Sequence, residues 1–245
     1  MHASGKLFCI WCCILFFMSV LAGCGSSGSS HKHGVFVDSP AEGIAFRTES
    51  KSGVTDSYGR FDYEPGETVT FSIGGTVLGT LPAMPVITPL DLVEGSKDQA
   101  DPAVTNITRL LMTLDEDSNP GNGILITGEV RNALKEISIS FDQDPEFFAQ
   151  DPQVKEVLYI LNQLYSRDGE TERFLCTEQA ARGHLGETLL KLADAGYVHD
   201  SGSDEVDDGS GNDDSSGDGG DTDGGDSGGD GGDSDGGDSG GGGCG

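Results

Sequence analysis

Positive charge is scarce in this chain: 14 Lys and Arg stand against 42 Asp and Glu, a formal net charge of −28 over 245 residues. The segment from Asp200 to Gly245 holds 15 of the acidic residues and no Lys or Arg, yet the remainder still sets 14 basic against 27 acidic side chains. Nucleic-acid binding needs Lys and Arg to neutralise phosphates, so it is excluded as a partner class. Long hydrophobic runs are missing as well. The most apolar stretch, Leu7 to Ala22, is sixteen residues, short of the roughly 20 that a membrane-crossing helix requires. There is one tryptophan, Trp11, and four of the six cysteines (Cys9, Cys12, Cys13 and Cys24) fall in the first 24 residues. No nucleophile–base set, phosphate-cradling loop or His-rich cluster stands out, so the sequence points to no reaction.

What the N-terminus does have is order. Lys6 precedes the apolar run, and small residues then lead into Leu21-Ala22-Gly23-Cys24. A positive start stays in the cytoplasm, a short greasy segment enters the membrane, and small side chains fit the peptidase. This pattern resembles the lipobox of bacterial lipoproteins. The resemblance implies a diacylglyceryl thioether on Cys24, which becomes the mature N-terminus and is acylated there with fatty acids such as palmitate, while residues 1–23 are removed as a signal peptide. Each buried methylene contributes about 0.8 kcal/mol, so three acyl chains make an anchor that is effectively permanent. Gly25 occupies the position where Asp would favour inner-membrane retention in enteric bacteria. The expected location is therefore the outer membrane, with the domain facing the periplasm or the exterior.

The mature chain divides by composition into a flexible tether (24–34), a β-rich unit (35–95), a helical unit packed with it (96–199) and an acidic Gly/Asp/Ser tail (200–245). The tether's His31 and His33 form a His-x-His pair that reads as solvated linker rather than a metal site. In the β unit Phe61 and Tyr63 flank Asp62, and Val69, Phe71 and Ile73 alternate with Thr70 and Ser72, the period of a sheet with one buried face. Gly74-Gly75 between such runs predicts a hairpin. The segment Gly53-Val-Thr-Asp56-Ser-Tyr-Gly59-Arg-Phe61-Asp-Tyr63 resembles the Thr-Asp-x-x-Gly-x-Phe turn of carboxypeptidase-regulatory-like (transthyretin-like) β-sandwich domains. There Asp56 would cap its own turn, Gly59 would supply backbone freedom and Phe61 would start a core strand. A longer stretch, from Val37-Asp-Ser-Pro through Thr88-Pro-Leu-Asp-Leu-Val to Leu114-Asp-Glu-Asp, resembles a module of uncharacterised proteobacterial surface lipoproteins, which implies no activity.

After Asp91 the period becomes helical. Asp101-Pro102 places a cap before a proline at the first helical position, and Val104, Ile107, Leu110, Leu111 and Leu114 follow at helical spacing, predicting a helix over 102–114. A short helix is predicted over 129–137. Asp151-Pro152 opens a third, and Thr177 opens a last one closed by Gly196, with Ala180, Ala181, His184, Leu185, Leu189 and Leu192 on one side. Asp142, Asp144, Glu146 and Asp151 read as helix-start charges. The fold class is α+β: a small antiparallel β unit followed by a cluster of about four helices. The tail, whose sole aliphatic residue is Val206, buries too little to offset the ordering entropy of about 1–2 kcal/mol per residue and is expected to be disordered. It also lacks the large aliphatic residue that Gly/Asp-rich calcium-binding repeats need.

Processing at Cys24 would leave only Cys176 and Cys244, so one disulfide at most. Cys176 reads as a buried thiol acting as a small apolar residue. Cys244 admits several readings, among them a lone thiol, a crosslinking point or the remnant of a sorting segment. The sequence offers one ion-binding pattern, Asp115-x-Asp117-x-Asn119-Pro-Gly-Asn122, directly after the first predicted helix. Oxygens at alternate positions of a tight loop suit Ca²⁺, which collects 6–8 of them. Pro120 stands where an EF-hand needs glycine, and Ile126 where it needs a bidentate Glu. Asp115, Asp117, Asn119 and Asn122 are thus candidates for a shortened calcium loop, against the alternative that they are turn formers. The expected function is a lipid-anchored envelope protein that binds or scaffolds a protein or polysaccharide partner and is not an enzyme. The alternative is an accessory or hydrolytic enzyme with a pocket near His184, where Glu187 and Cys176 are the neighbouring candidates.

Overall fold

Alternation at Phe61/Tyr63 and at Val69/Phe71/Ile73 does place those side chains in a core, between two small sheets. The computed structural model describes residues 32–165 and 172–197. They belong to a unit that starts at Lys32. The predicted signal peptide, Cys24, most of the tether and the acidic tail lie outside the described residues.

Nine strands occur among the described residues: β1 (Lys32–Phe36), β2 (Ala41–Glu42), β3 (Ala45–Arg47), β4 (Ser52–Val54), β5 (Arg60–Tyr63), β6 (Thr68–Ile73), β7 (Thr76–Pro82), β8 (Val86–Ile87) and β9 (Ile124–Leu125). One sheet has the order β5-β1-β8 and another β4-β3-β6-β7. Phe36 and Phe61 from the first meet Phe71 from the second edge-on, with centroids 5.0 and 5.1 Å apart, while Phe46 lies 5.9 Å from Phe61. Edge-to-face rings at this spacing add to simple area burial. Gly34 sits opposite Phe61 in the same sheet and leaves room for its ring; a Cβ there would come within 2.4 Å of it.

The Asp56 turn is built as its residues imply. Asp56 Oδ1 accepts from the backbone N–H groups of Tyr58 (2.9 Å) and Arg60 (3.0 Å), and Gly59 takes φ +72°. A Cβ on Gly59 would strike the Phe36 carbonyl at 2.3 Å. Arg60 Nε adds a 2.7 Å bond to Asp56 Oδ2; desolvation pushes the Asp56 carboxyl up, but these hydrogen bonds together outweigh it and hold it below its usual range.

Helices α1 (Pro102–Leu114), α2 (Gly128–Ala133), α3 (Pro145–Phe148), α4 (Pro152–Tyr165) and α5 (Glu178–Asp194) follow. Asp101 caps α1 by accepting from Ala103 and Val104 N–H, and Thr177 caps α5 by accepting from Ala180 N–H. Every residue of α1 from Val104 to Leu114 is buried. Ile107, Leu110, Leu111 and Leu114 join the main core with the sheets, Val104 packs with Leu90 and Leu185, and Met112 packs with Cys176 and Ala181. The α+β class stands, with one core shared by strands and helices.

Four details differ from the sequence expectation. Lys32, His33 and Gly34 are strand, not tether, because β1 pairs antiparallel with β5 and His33 Nδ1 lies 2.6 Å from Asp62 Oδ1. The sheets are not wholly antiparallel: β1 pairs with β8, and β2 with β9, in parallel. A fifth helix, α3, forms on the same Asp-Pro signal as α1 and α4, with Asp144 accepting from Glu146 N–H at 2.8 Å. Finally, α2 stops at Ala133 instead of reaching Ile137. The β6–β7 hairpin tip takes the carbonyls beyond it, Gly75 N–H donating to Leu134 and the Thr76 hydroxyl to Ile137, both at 3.0 Å. Gly74, at φ +58°, gives that close approach its room.

Candidate functional site

The turn Val37-Asp38-Ser39-Pro40 leaves β1 and brings Asp38 beneath α5. Asp38 is fully buried, and neither carboxylate oxygen has a hydrogen-bond partner. Ser39 adopts φ +59°, a left-handed conformation that few non-glycine residues hold. His184 of α5 directs its Nε2 at this turn: 3.4 Å to Ser39 Oγ, 3.4 Å to the Asp38 carbonyl and 3.5 Å to Asp38 Oδ1. At 3.5 Å the carboxyl–imidazole approach is electrostatic contact rather than a hydrogen bond, which agrees with the orphaned carboxylate.

Burial decides the protonation here. With nothing to compensate its desolvation, Asp38 is pushed up to about 8, so the carboxyl is neutral over much of the physiological range. His184 is lowered by the same cause, partly offset by its backbone contact to Asp38 and by the charge of Glu187. The pair is therefore neutral with neutral near pH 7. A Ser, a His and an Asp do converge, yet the hydroxyl and the carboxyl both face Nε2. A hydrolytic relay needs the carboxylate on one ring nitrogen and the nucleophile on the other. What the arrangement does is pin α5 to the end of β1.

Sequence reading missed Asp38 and Ser39 because they lie 146 and 145 residues from His184; an Asp-Ser-Pro run looks like an ordinary turn. The neighbours it named take no part in a His184 reaction. Glu187 acts only through its charge, and Cys176 faces Met112, with Sγ 3.9 Å from Sδ. Cys176 is disulfide-bonded, which replaces the expected free thiol; the sulfur contact to Met112 is accordingly packing, since a disulfide sulfur has no proton to donate.

The acidic loop after α1 does bring its four predicted residues together. Asp115 Oδ1 accepts from Leu125 N–H (2.9 Å) and Oδ2 from Asn119 N–H (2.8 Å). Asp117 Oδ1 accepts from the same Asn119 N–H (2.9 Å) and Oδ2 from the Asn122 side chain (2.8 Å). Burial raises Asp115 to about 6, and neighbouring Asp117 pushes in the same direction against the two backbone donors. Asp117 itself is held below its usual range, first by Asn122 and then by Asn119. Hydrogen bonds thus complete this loop as a turn, and among the described residues no group of three or more His, Cys, Asp or Glu is placed to hold a metal. Arg173 closes the loop from outside, donating to the Asp115 and Glu116 carbonyls with its guanidinium 4.2 Å over the Tyr165 ring.

The Asp38–His184 pair has a measurable signature. A carboxyl that keeps its proton to about 8 when folded but releases it near 3.8 when unfolded contributes stability below pH 4 that is lost as pH rises through 8. His184, lowered on folding, contributes the opposite slope below about 6.5. The clean window is therefore pH 6.5 to 8, where unfolding free energy should fall by up to about 1.4 kcal/mol per pH unit. In Asp38→Asn that slope should vanish, as read by urea unfolding at several pH values; an unchanged slope in the variant contradicts the assignment.

No protein-family model, no curated protein and no solved structure matches this chain.

Proposed function

We propose that this chain is a lipid-anchored envelope protein of the outer membrane, whose α+β domain binds or scaffolds a protein or polysaccharide partner. The observation that carries the proposal is Leu21-Ala22-Gly23-Cys24 at the end of a short apolar run behind Lys6. The domain's position in the chain supports it. β1 begins at Lys32, so acylation at Cys24 leaves eight residue steps to the first paired strand, a reach of at most about 28 Å. A domain on so short a lead works beside the membrane surface. No helix among the described residues is long and apolar enough to cross a membrane.

The rival reading, an accessory or hydrolytic envelope enzyme, has in its favour the convergence of Asp38, Ser39 and His184. It is disfavoured because one ring nitrogen faces both partners. Calcium belongs to the proposal as a structural ion at Asp115, Asp117, Asn119 and Asn122. The support is that Asp115 Oδ2 and Asp117 Oδ1 converge on the single Asn119 N–H, a crowding of two carboxylates that a cation in place of those hydrogen bonds would relieve.

Two experiments test this reading. In a bacterium that processes lipoproteins, the full chain should partition with membranes and carry fatty acids at an N-terminal Cys24; it should also lack tryptophan fluorescence, because Trp11 is the sole tryptophan. Cys24→Ser should remain unacylated and uncleaved. Recovery of wild-type protein free of lipid, with its first residue elsewhere, would overturn the proposal. For the ion, millimolar calcium should raise the melting temperature relative to chelator in wild type but not in Asp117→Asn. Equal wild-type melting temperatures in calcium and chelator would remove calcium from the account.

A further inference from the structure

Cys176 is disulfide-bonded and is the only cysteine among the described residues, so its partner is one of Cys9, Cys12, Cys13, Cys24 and Cys244. Resting on the lipoprotein reading, which removes the first three with the signal and acylates the fourth, we propose that Cys176 pairs with Cys244. The bond would close the acidic C-terminal segment into a loop enclosing 67 residues.

The domain holds Cys176 in place for such a bond. Its carbonyl accepts from Arg109 Nε at 2.7 Å and its N–H donates to Thr113 Oγ1 at 2.9 Å, so the backbone is tied to the buried helix α1 on both sides. Met112 and Ala181 line the sulfur. Phe174 and Thr177 beside it are exposed, which puts the cysteine at the edge of the core, within reach of an arriving chain. The domain supplies a fixed sulfur. The acidic run that begins at Asp200 lies between the two cysteines, so the bond encloses it.

The chemistry needs an oxidant, and the oxidant is a protein disulfide of the oxidising envelope. One cysteine thiolate attacks that disulfide to give a mixed disulfide, and the other then attacks the chain's own sulfur. The oxidant leaves as a dithiol, carrying the two electrons and two protons. Within the closed loop the stretch from Asp200 onward carries 15 Asp and Glu residues and no Lys or Arg. A closed acidic loop offers a polyanionic surface to divalent cations.

The digest that tests this is simple because the relevant tryptic peptides are Phe174–Arg182 and Leu192–Gly245. Full-length protein should be exported in a lipoprotein-processing bacterium, alkylated without reduction, and digested. The two peptides should run as one linked species that reductant separates, and the N-terminal peptide should carry lipid on Cys24. In Cys244→Ser, Cys176 should take one alkyl group after unfolding, where wild type takes none. Alkylated Cys176 in unreduced wild type overturns the disulfide proposal while lipidated Cys24 leaves the anchor standing. Phe174–Arg182 linked to Cys24 overturns both.

Discussion

Burial of α1 on every side is the constraint from which the rest of this domain follows. A helix in that position has its backbone satisfied internally but must also place every polar side chain against a partner, since an unpaired buried group costs about 1–3 kcal/mol. Thr105, Asn106 and Arg109 donate to loop carbonyls and Thr108 and Thr113 to carbonyls of α1 itself, while Asn106 Oδ1 is left without a partner. Asn106 donates to the carbonyls of Phe141 and Gln143, and Arg109 to those of Pro145 and Cys176. Thr113 donates to the Arg109 carbonyl and accepts from Cys176 N–H. The apolar side of α1 thus gathers the sheets, and its polar side fixes the irregular segments before α3 and α5. Breaking either side would release the other.

The contacts made by α1 also explain where the unusual groups sit. Cys176 is held because α1 needs its carbonyl and N–H. His184 lies one turn beyond Ala181, which packs on Met112, and is followed by Leu185, which packs on Val104. It is therefore carried to the β1 turn by the packing of α5 on α1. Asp38 meets it there without a hydrogen bond, a local cost accepted at the junction between β and α halves. This junction couples protonation to the docking of α5.

Local signals in the sequence were readable where one residue type does one job. Asp-Pro at 101–102 marks the start of α1, Thr177 and Gly196 bracket α5, and Asp56 with Gly59 shapes its turn. The apolar spacing of α1 was legible, but not the burial of its polar face, because the partners of Thr105, Asn106 and Arg109 lie in loops that no local pattern ties to the helix. Long-range pairings were hidden for a related reason. The parallel β2–β9 contact joins Ala41 to Ile124 through two-residue strands too short to carry a period. Asp38 and His184 are linked only by the fold. The Lys32-His33-Gly34 stretch looked like linker because its small and polar residues gain their order from β5 opposite.

Amide hydrogen exchange followed residue by residue on the folded domain tests the central role of α1 most directly. The amides of Val104 to Leu114 should be the slowest in the domain and should exchange with the free energy of global unfolding. Faster, denaturant-independent exchange in α1, with the β6–β7 hairpin still protected, would show that the sheets hold together without it and would contradict this account.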